Sequence, residues 1–427
     1  MRKILVIAYY WPPAGGPGVQ RWLKFVKYLP EFGINPLVYV PENPTYPIID
    51  KNLVKEIPKD VKIIRQPIKE PYASASILSK KRAKTISSGV IQENNPSIVE
   101  KLMLWIRGNL FIPDARKLWV KPSIKFLSNI IEEEGIDTIV TTGPPHSMHL
   151  IGLGLKEKLG VHWIADFRDP WTSIGYHKKL RLTSTSQKKH KLLERQVLNN
   201  ADKIVVTSLT TQEEFRGLTS KPIKAITNGF EEVSKVEALD DDFTISHIGS
   251  LLTGRNPAVL WEALKELCME NDSFCDSLKI QLAGVLGEEV LDSIEAYGLG
   301  KHVANLGYLS HEKVFDIQQK SQLLLLLEID SEETKGIIPG KLFEYLNANR
   351  PILALGPEGW EAGEMVKSTN AGVFYGKKDK KELKTVLLNW FEAFQNGALH
   401  CDSKGIEQYH RRALTKQLAN FIQWESS

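Results

Sequence analysis

The sequence predicts an α/β protein made of two Rossmann-like, doubly wound halves, and three observations carry that prediction. An apolar run at residues 4–9 empties into a glycine-rich loop at 11–18. A helical pattern follows at 19–32, with Trp22, Phe25, Val26 and Leu29 on one face and Gly33 as its stop. A second apolar run at 36–40 completes strand, loop, helix, strand, the βαβ unit of a parallel sheet. The theme then repeats: a strand at 243–248, a loop from Gly249 to Pro257 and a helix at 258–269. Further short apolar runs at 138–142, 162–165, 203–208, 278–283, 303–306, 323–327, 352–355 and 372–374 alternate with helical patterns.

The 427 residues suffice for two ordinary domains. Hydrophobic content of 42% and charged content of 25% are globular values. A net charge of +4 is too small for a dedicated nucleic-acid binder and suits anionic ligands or an acidic membrane surface. Cys268, Cys275 and Cys401 show no metal-type clustering, and their sparse use fits a reducing cytoplasm. Arg2-Lys3 before the first apolar run imitates a signal peptide, but the run is short and ends in Tyr9-Tyr10-Trp11-Pro12-Pro13, so a buried strand is expected. No stretch approaches the roughly 20 apolar residues that span a bilayer. The expected setting is cytoplasmic, with peripheral attachment to the inner face of the membrane as an option.

Four domain segments follow: 1–230, a linker at 231–242, 243–404, and a tail at 405–427 read as one helix with Tyr409, Leu414, Leu418 and Phe421 inward. Asp240-Asp241-Asp242 contains a D-x-D pattern but reads as a charged connector. Residues 67–125 break the rhythm. There Lys80, Lys81, Arg82, Lys84, Arg107, Arg116 and Lys117 interleave with Leu102, Met103, Trp105, Phe111, Leu118 and Trp119. One reading is a surface for anionic lipid heads or a lipid-linked acceptor; the other is a helical excursion packed on the first domain. Lys178, Lys179, Arg181 and Lys188, Lys189, Lys191 read as a solvated face.

Candidate chemistry gathers where strands end. Gly15, Gly16 and Gly18 offer close backbone approach at a strand's carboxyl end, although they do not form a G-x-G-x-x-G fingerprint. His146 and His149 follow the strand at 138–142; they are too few for a metal site, and His146 is an acid/base or sugar-contact candidate. Asp166, Arg168, Asp169 and Trp171 follow the next strand. An ion pair of Arg168 with its flanking acids competes there with a catalytic role, and Trp171 either stacks on a sugar or fills the core. Arg255, beside the Gly249 loop, is a natural diphosphate clamp. After the buried run at 323–327 and a polar loop comes Ile337-Ile338-Pro339-Gly340-Lys341-Leu342-Phe343-Glu344, where a helix should begin near 339–341. A helix start favours anions, Lys341 adds a full charge, and Glu344 one turn on can hold a vicinal diol. The competing reading is a first-turn Glu that complements the macrodipole beside a solvated Lys.

Ala165-Asp166-Phe167-Arg168-Asp169-Pro170-Trp171, Thr227-Asn228-Gly229-Phe230, His247-Ile248-Gly249-Ser250, Asn305-Leu306-Gly307-Tyr308-Leu309-Ser310 and Lys341-Leu342-Phe343-Glu344-Tyr345-Leu346 together resemble bacterial glycosyltransferases of the GT-B fold, group 1/family 4 type. The resemblance implies two Rossmann-like domains facing each other across a cleft, the second binding a UDP- or GDP-sugar. It implies Lys341 and Arg255 on the diphosphate, Glu344 on the ribose, Gly249 and Leu309 beside the nucleotide, and Gly15 and Gly16 approaching the phosphates. The first acid of the family's paired-glutamate motif falls on Gly336, so the donor sugar would meet Gly336, Ile337 and Ile338, with Glu332 or Glu333 as substitutes. His146, Asp166, Arg168, Asp169 and Trp171 would border the acceptor and the reacting carbon, with His146 and Asp166 as catalytic candidates. The final helix would cross back to the first domain. No metal and no further cofactor is expected. The implied activity is glycosyl transfer with retention onto a glycan or lipid-linked acceptor for the cell envelope. Rivals are a nucleotide-sugar epimerase, a non-catalytic nucleotide-sugar-binding module and, most weakly, a dinucleotide dehydrogenase.

Overall fold

The computed structural model describes residues 1–70, 98–175, 177, 180–231, 238–252, 254–376 and 379–423. The basic cluster at 80–84, Lys178, Lys179, most of the acidic linker and Trp424 lie outside them. The chain divides into two compact units, Met1–Asn228 with Arg411–Ser427, and Gly229–His410.

In the first unit β1 (Arg2–Ile7) leads through the glycine loop to α1 (Pro17–Tyr28) and β2 (Ile34–Pro41). The helix expected to run to Phe32 gives way at Tyr28 to a 3-10 turn at Leu29–Phe32. Pro30 is the reason, since it has no N–H to bond four residues back. Gly33, at φ +80°, closes the turn. Then come β3 (Ile63–Gln66), which the sequence reading missed, α2 (Ile98–Leu110), α3 (Lys117–Glu134), β4 (Thr138–Gly143), α4 (Ser147–Leu159), β5 (His162–Phe167), α5 (Ser184–Asn200), β6 (Lys203–Val206), α6 (Leu209–Arg216) and β7 (Ile223–Ala225). All seven strands are parallel, in the order β3-β2-β1-β4-β5-β6-β7. Both faces are covered, so β1 reads as continuous apolar sequence. Leu5, Ile7 and Tyr9 pack with Trp119, Leu127 and Ile151 on one side, while Ile4, Val6 and Ala8 pack with Trp22 and Phe25 on the other. Trp119 stacks on Tyr39 with ring centres 4.8 Å apart, which docks α3 on the sheet. The segment around α2 and α3 thus has a packed side (Leu104, Ile112, Trp119) and an exposed side (Leu102, Trp105, Leu110, Leu118).

The second unit contains β8 (Phe243–Ile248), α7 (Ala258–Glu270), α8 (Asp272–Ser277), β9 (Leu278–Ala283), α9 (Glu288–Ala296), β10 (Val303–Gly307), α10 (His311–Lys320), β11 (Leu323–Leu327), α11 (Lys341–Ala348), β12 (Ile352–Leu355), α12 (Glu361–Ser368), β13 (Gly372–Tyr375) and α13 (Lys380–Gln395). Its parallel sheet has the order β10-β9-β8-β11-β12-β13. Asp242 pairs with Lys279 and the Asp240 carboxylate accepts from Gln281, so the D-x-D stretch is a connector tied to β9.

The tail is not one helix. A 3-10 turn at Ile406–Tyr409 breaks at His410, which is extended (φ −63°, ψ 134°), and α14 (Arg411–Gln423) begins after it. Tyr409 packs against Phe343 of the second unit, whereas Leu414, Leu418 and Phe421 enter the core of the first. Among the described residues no helix is long and apolar enough to cross a membrane.

Candidate functional site

In both sheets the strand order reverses beside the first strand, between β1 and β4 and between β8 and β11. Ligands of open α/β sheets bind outside the carboxyl ends of strands at such a point, because the flanking loops there diverge to opposite faces.

In the second unit this point holds Lys341. Its Nζ donates to the Ile248 carbonyl at 2.9 Å and lies 3.2 Å from His247 Nε2. His247 Nδ1 is 2.9 Å from the Leu325 carbonyl, an atom that can only accept, so Nδ1 carries the proton and Nε2 turns its lone pair to Lys341. Burial, then the Lys341 charge, holds this imidazole neutral, well below its ordinary range. Burial also pushes Lys341 down to about 7; the Arg255 charge adds to the effect, and Glu328 and Glu344 oppose it. Gly249 takes φ +112°, which favours glycine, and lies in ordinary contact range of Nζ, 3.5 Å from where a Cβ would stand.

Arg255 reaches the same strand ends but is not free. It forms a two-pronged pair with Glu328, Nε to Oε1 at 3.0 Å and Nη2 to Oε2 at 3.3 Å, the acid's side chain being 0% exposed and the guanidinium 35%. Sequence reasoning passed over both Glu328 and His247. The available signal was position: Glu328 is the first polar residue after the buried run Leu323–Leu327, hence at the sheet's carboxyl edge.

Helix α11 starts where the apolar pattern placed it. Leu342 and Phe343 donate to the Pro339 and Gly340 carbonyls, while the amides of Gly340 and Lys341 make no such turn bond among the described residues. Glu344, in the first turn, accepts from Gln318 Nε2 at 2.9 Å. In the loop before α11, the Ile337 carbonyl takes the Trp360 indole N–H at 2.7 Å and the Lys335 carbonyl takes the Glu361 amide, so Gly336–Ile338 is anchored to α12. Glu332 and Glu333 are exposed in a 3-10 turn, and Glu332 pairs with Lys335 at 2.8 Å. Leu309 packs half-buried beside the core of this unit.

In the first unit several expectations change. Asp166, expected as a catalytic candidate, is buried and fully engaged: Oδ1 accepts from Arg21 at 2.9 Å, and Oδ2 from Trp22 at 2.7 Å and Thr142 at 2.8 Å. Burial pushes its carboxyl up, but Arg21 and the three donors outweigh that and hold it below its ordinary value. It ties α1 to β5, is 1% exposed and does not line the pocket described below. The anticipated ion pair of Arg168 with its neighbours is also absent. Instead, Arg168 donates to the Gly143 and Pro144 carbonyls after β4. Its guanidinium fills the space where a Cβ on Gly18 would stand, 1.4 Å from Nη1. Gly18 is therefore small for Arg168, not for a ligand. Gly15 packs against Ile48, 2.9 Å from its Cβ direction, and Gly16 (φ +106°) faces open space. Trp171 is buried, stacked on His146 with ring centres 4.7 Å apart, and its N–H donates to His190 Nδ1 at 3.1 Å. It shapes the site as a wall rather than offering a sugar platform.

Trp171 and His146 line a pocket of about 270 Å³, to whose lining Asp166, Arg168 and the glycines of the first loop do not belong. Its lining includes Tyr10, Arg116, His146, Asp169, His177 and His190. Both ring nitrogens of buried His146 lack hydrogen-bond partners among the described residues, as does His177 Nε2. Burial, then His149 and Arg168, holds His146 neutral, and burial pushes His177 to about 4. Asp169 makes no hydrogen bond among the described residues, and burial raises its carboxyl against the pull of Arg168. The lining thus mixes neutral imidazoles with Arg107, Arg116 and the carboxylates of Asp114 and Asp169, polar groups that can meet the hydroxyls of a ligand. His149 is held on one side, its Nδ1 2.9 Å from Thr141 Oγ1 and its ring stacked on Phe167, while its buried Nε2 has no partner among the described residues.

No protein-family model matches the sequence. No curated protein sequence matches it either. Solved structures do match over nearly their whole length. The lipopolysaccharide outer core galactosyltransferase WaaB superposes with a TM-score of 0.58 at 15% identity, covering 98% of this chain and 99% of that one. The chain has the GT-B fold. Anabaena Alr3699/HepE, solved in complex with UDP-glucose, gives 0.54 at 14% identity over 99% and 95%. A candidate UDP-N-acetylglucosamine 2-epimerase from Listeria monocytogenes gives 0.55 at 12% over 99% and 95%. The GT-B architecture therefore hosts both transferases and an epimerase among these neighbours, and the chemistry has to be argued from the site.

Proposed function

We propose that this protein is a retaining glycosyltransferase of the group 1/family 4 type. In this reading it moves a sugar from a UDP- or GDP-sugar to a glycan or lipid-linked acceptor in cell-envelope polysaccharide synthesis. The observation that carries the reading is Lys341, held over Gly249 by the Ile248 carbonyl and His247, with Arg255 in the loop after β8 paired to Glu328 at the end of β11. Two cations and the first amides of α11 meet at the sheet's switch point, where a pyrophosphate fits. Glu344 accepts from the ribose hydroxyls, Gly249 and Leu309 lie beside the nucleotide, and the donor sugar rests near Gly336–Ile338. The protein's main contribution is electrostatic: as the glycosidic bond to phosphate breaks, Lys341 and Arg255 meet the charge growing on the leaving diphosphate. The departing phosphate oxygen takes the acceptor hydroxyl's proton on the same face, which preserves the anomeric configuration. The pocket beside His146 and Asp169 receives the acceptor. Exposed Leu102, Trp105, Leu110 and Leu118 support peripheral contact with an anionic membrane surface.

A thermal-shift screen against UDP-, GDP- and ADP-sugars tests the donor assignment, followed by nuclear magnetic resonance of the product's anomeric centre. Stabilisation by none of these nucleotides would remove the proposal. The epimerase alternative, supported by the Listeria neighbour, needs no acceptor. Incubation with the donor alone and appearance of an isomerised sugar would select it.

A further inference from the structure

The end of the second sheet opposite Lys341 carries a different cluster. Cys268 lies in the last turn of α7, Cys275 in α8 and His302 in the turn just before β10. The three ligand atoms lie within 4.8 Å of one another, and Cys275 Sγ is 3.7 Å from His302 Nε2. The sequence reading saw no clustering among the cysteines because the imidazole comes 27 residues after Cys275 and joins the thiols only through the packing of β9 against β10.

We propose that Cys268, Cys275 and His302 form a structural site for a soft divalent cation, zinc by its chemistry. Three features support it. Zn–S bonds of about 2.3 Å and Zn–N bonds of about 2.0–2.1 Å set neighbouring ligands of a tetrahedron about 3.5–3.8 Å apart, and the Cys275–His302 separation already has that length. His302 Nδ1 sits 3.2 Å from the Leu278 carbonyl, so Nδ1 keeps its proton and Nε2 presents a lone pair to the thiols. A second hydrogen bond of this kind is the usual way a ligating imidazole is oriented. Lys301 Nζ donates to Cys275 Sγ at 3.8 Å, which places a cation beside that sulfur. Binding exchanges the two thiol protons for the metal and releases them to solvent, and the three protein ligands leave a fourth position to water, where most structural zinc sites have a fourth protein ligand. The site joins α7, α8 and the entry to β10 at the amino edge of the sheet. It braces the donor-binding unit and takes no part in transfer.

The 427-residue chain, stripped with a chelator and kept in a phosphine reductant, is titrated with Co²⁺ and then with Zn²⁺. Expected are one equivalent of Co²⁺ with thiolate-to-cobalt charge-transfer absorption and four-coordinate d–d bands, displacement by Zn²⁺, and a Tm several degrees higher with zinc. Cys275→Ser and Cys268→Ser should weaken Co²⁺ binding by at least tenfold and His302→Gln comparably, while Cys401→Ser should leave it unchanged. The wild-type spectrum decides the ligand type even where a variant fails to fold. A stoichiometric cobalt titration without thiolate charge transfer, or unaltered binding by Cys275→Ser, overturns the site. So does a Cys268–Cys275 disulfide that persists in the reductant.

Discussion

Lys341 Nζ stands 3.2 Å from His247 Nε2, the one nitrogen of that ring able to accept a hydrogen bond. Lys341 therefore has a neutral neighbour at that distance, and burial, then the Arg255 charge, pushes its ammonium down to about 7. A bound diphosphate supplies negative charge and raises that value again. The protonated form binds the anion better, so affinity should be highest on the acid side of about 7 and decline as pH rises above it. Near pH 8, UDP or GDP binding should take up about one proton. Calorimetry in buffers of different ionisation enthalpy measures this directly, and Lys341→Met should abolish the uptake. A wild-type protein that binds nucleotide at that pH with no proton uptake would contradict the assignment.

Lys341→Ala and Arg255→Ala should each lower turnover on the order of 10²–10³-fold, as for loss of one charge-stabilising donor. Their effects on folding should differ. Removing Arg255 leaves the Glu328 carboxylate fully buried with one partner fewer, at a cost of about 1–3 kcal/mol. The double change Arg255→Ala with Glu328→Gln should recover most of that stability in urea unfolding while turnover stays low. Recovery of turnover along with stability would show that Arg255 acts only as a strut.

The Arg21–Asp166 pair is buried on both sides, each side chain 1% exposed. Asp166→Asn should destabilise the first unit by about 3–5 kcal/mol because it leaves a buried guanidinium without its counter-charge. The folded carboxyl titrates below its ordinary value. The pair's contribution is thus fully present above the unfolded value of about 3.9 and is lost as pH falls through the folded one. Acid unfolding of Asp166→Asn against wild type checks both points: the gap between them should close at low pH.

Asp169 and His146 border the same pocket, and neither has a side-chain hydrogen-bond partner among the described residues. Asp169→Asn should leave UDP or GDP affinity unchanged and raise the acceptor KM by about tenfold or more, the size of a lost hydrogen bond to a charged group. His146→Phe, which keeps the stack on Trp171, should act in the same direction. Altered nucleotide affinity in either variant would move these residues out of the acceptor's path.

Much of the fold was legible because a buried parallel strand flanked by helices needs continuous apolar sequence, and loops at strand ends need glycine, proline or polar residues. Phe243–Ile248, Leu278–Ala283, Leu323–Leu327 and Ile352–Leu355 fall on the predicted runs residue for residue. Where local reading failed, a single bond or angle was responsible. Pro30 removed one helical donor and turned the end of α1 into a 3-10 turn. An extended His410 split the tail between the two units. Edge strand β3 is only four residues long and half-buried, too short to show a period.

At the sites, the sequence by itself determined which charged and polar residues reach the carboxyl ends of the strands, since that follows from where each apolar run stops. Lys341, Arg255, His146 and Asp169 were placed in that way. Only the tertiary structure decided which of them are already occupied. Asp166 is spent on Arg21 and Trp22, Arg168 on the carbonyls after β4, and Arg255 on Glu328, each through a partner 24 to 145 residues away. Hydrogen-bond partnership and burial are set by neighbours in space. A chain read in order contains the side chains but not the distances between them.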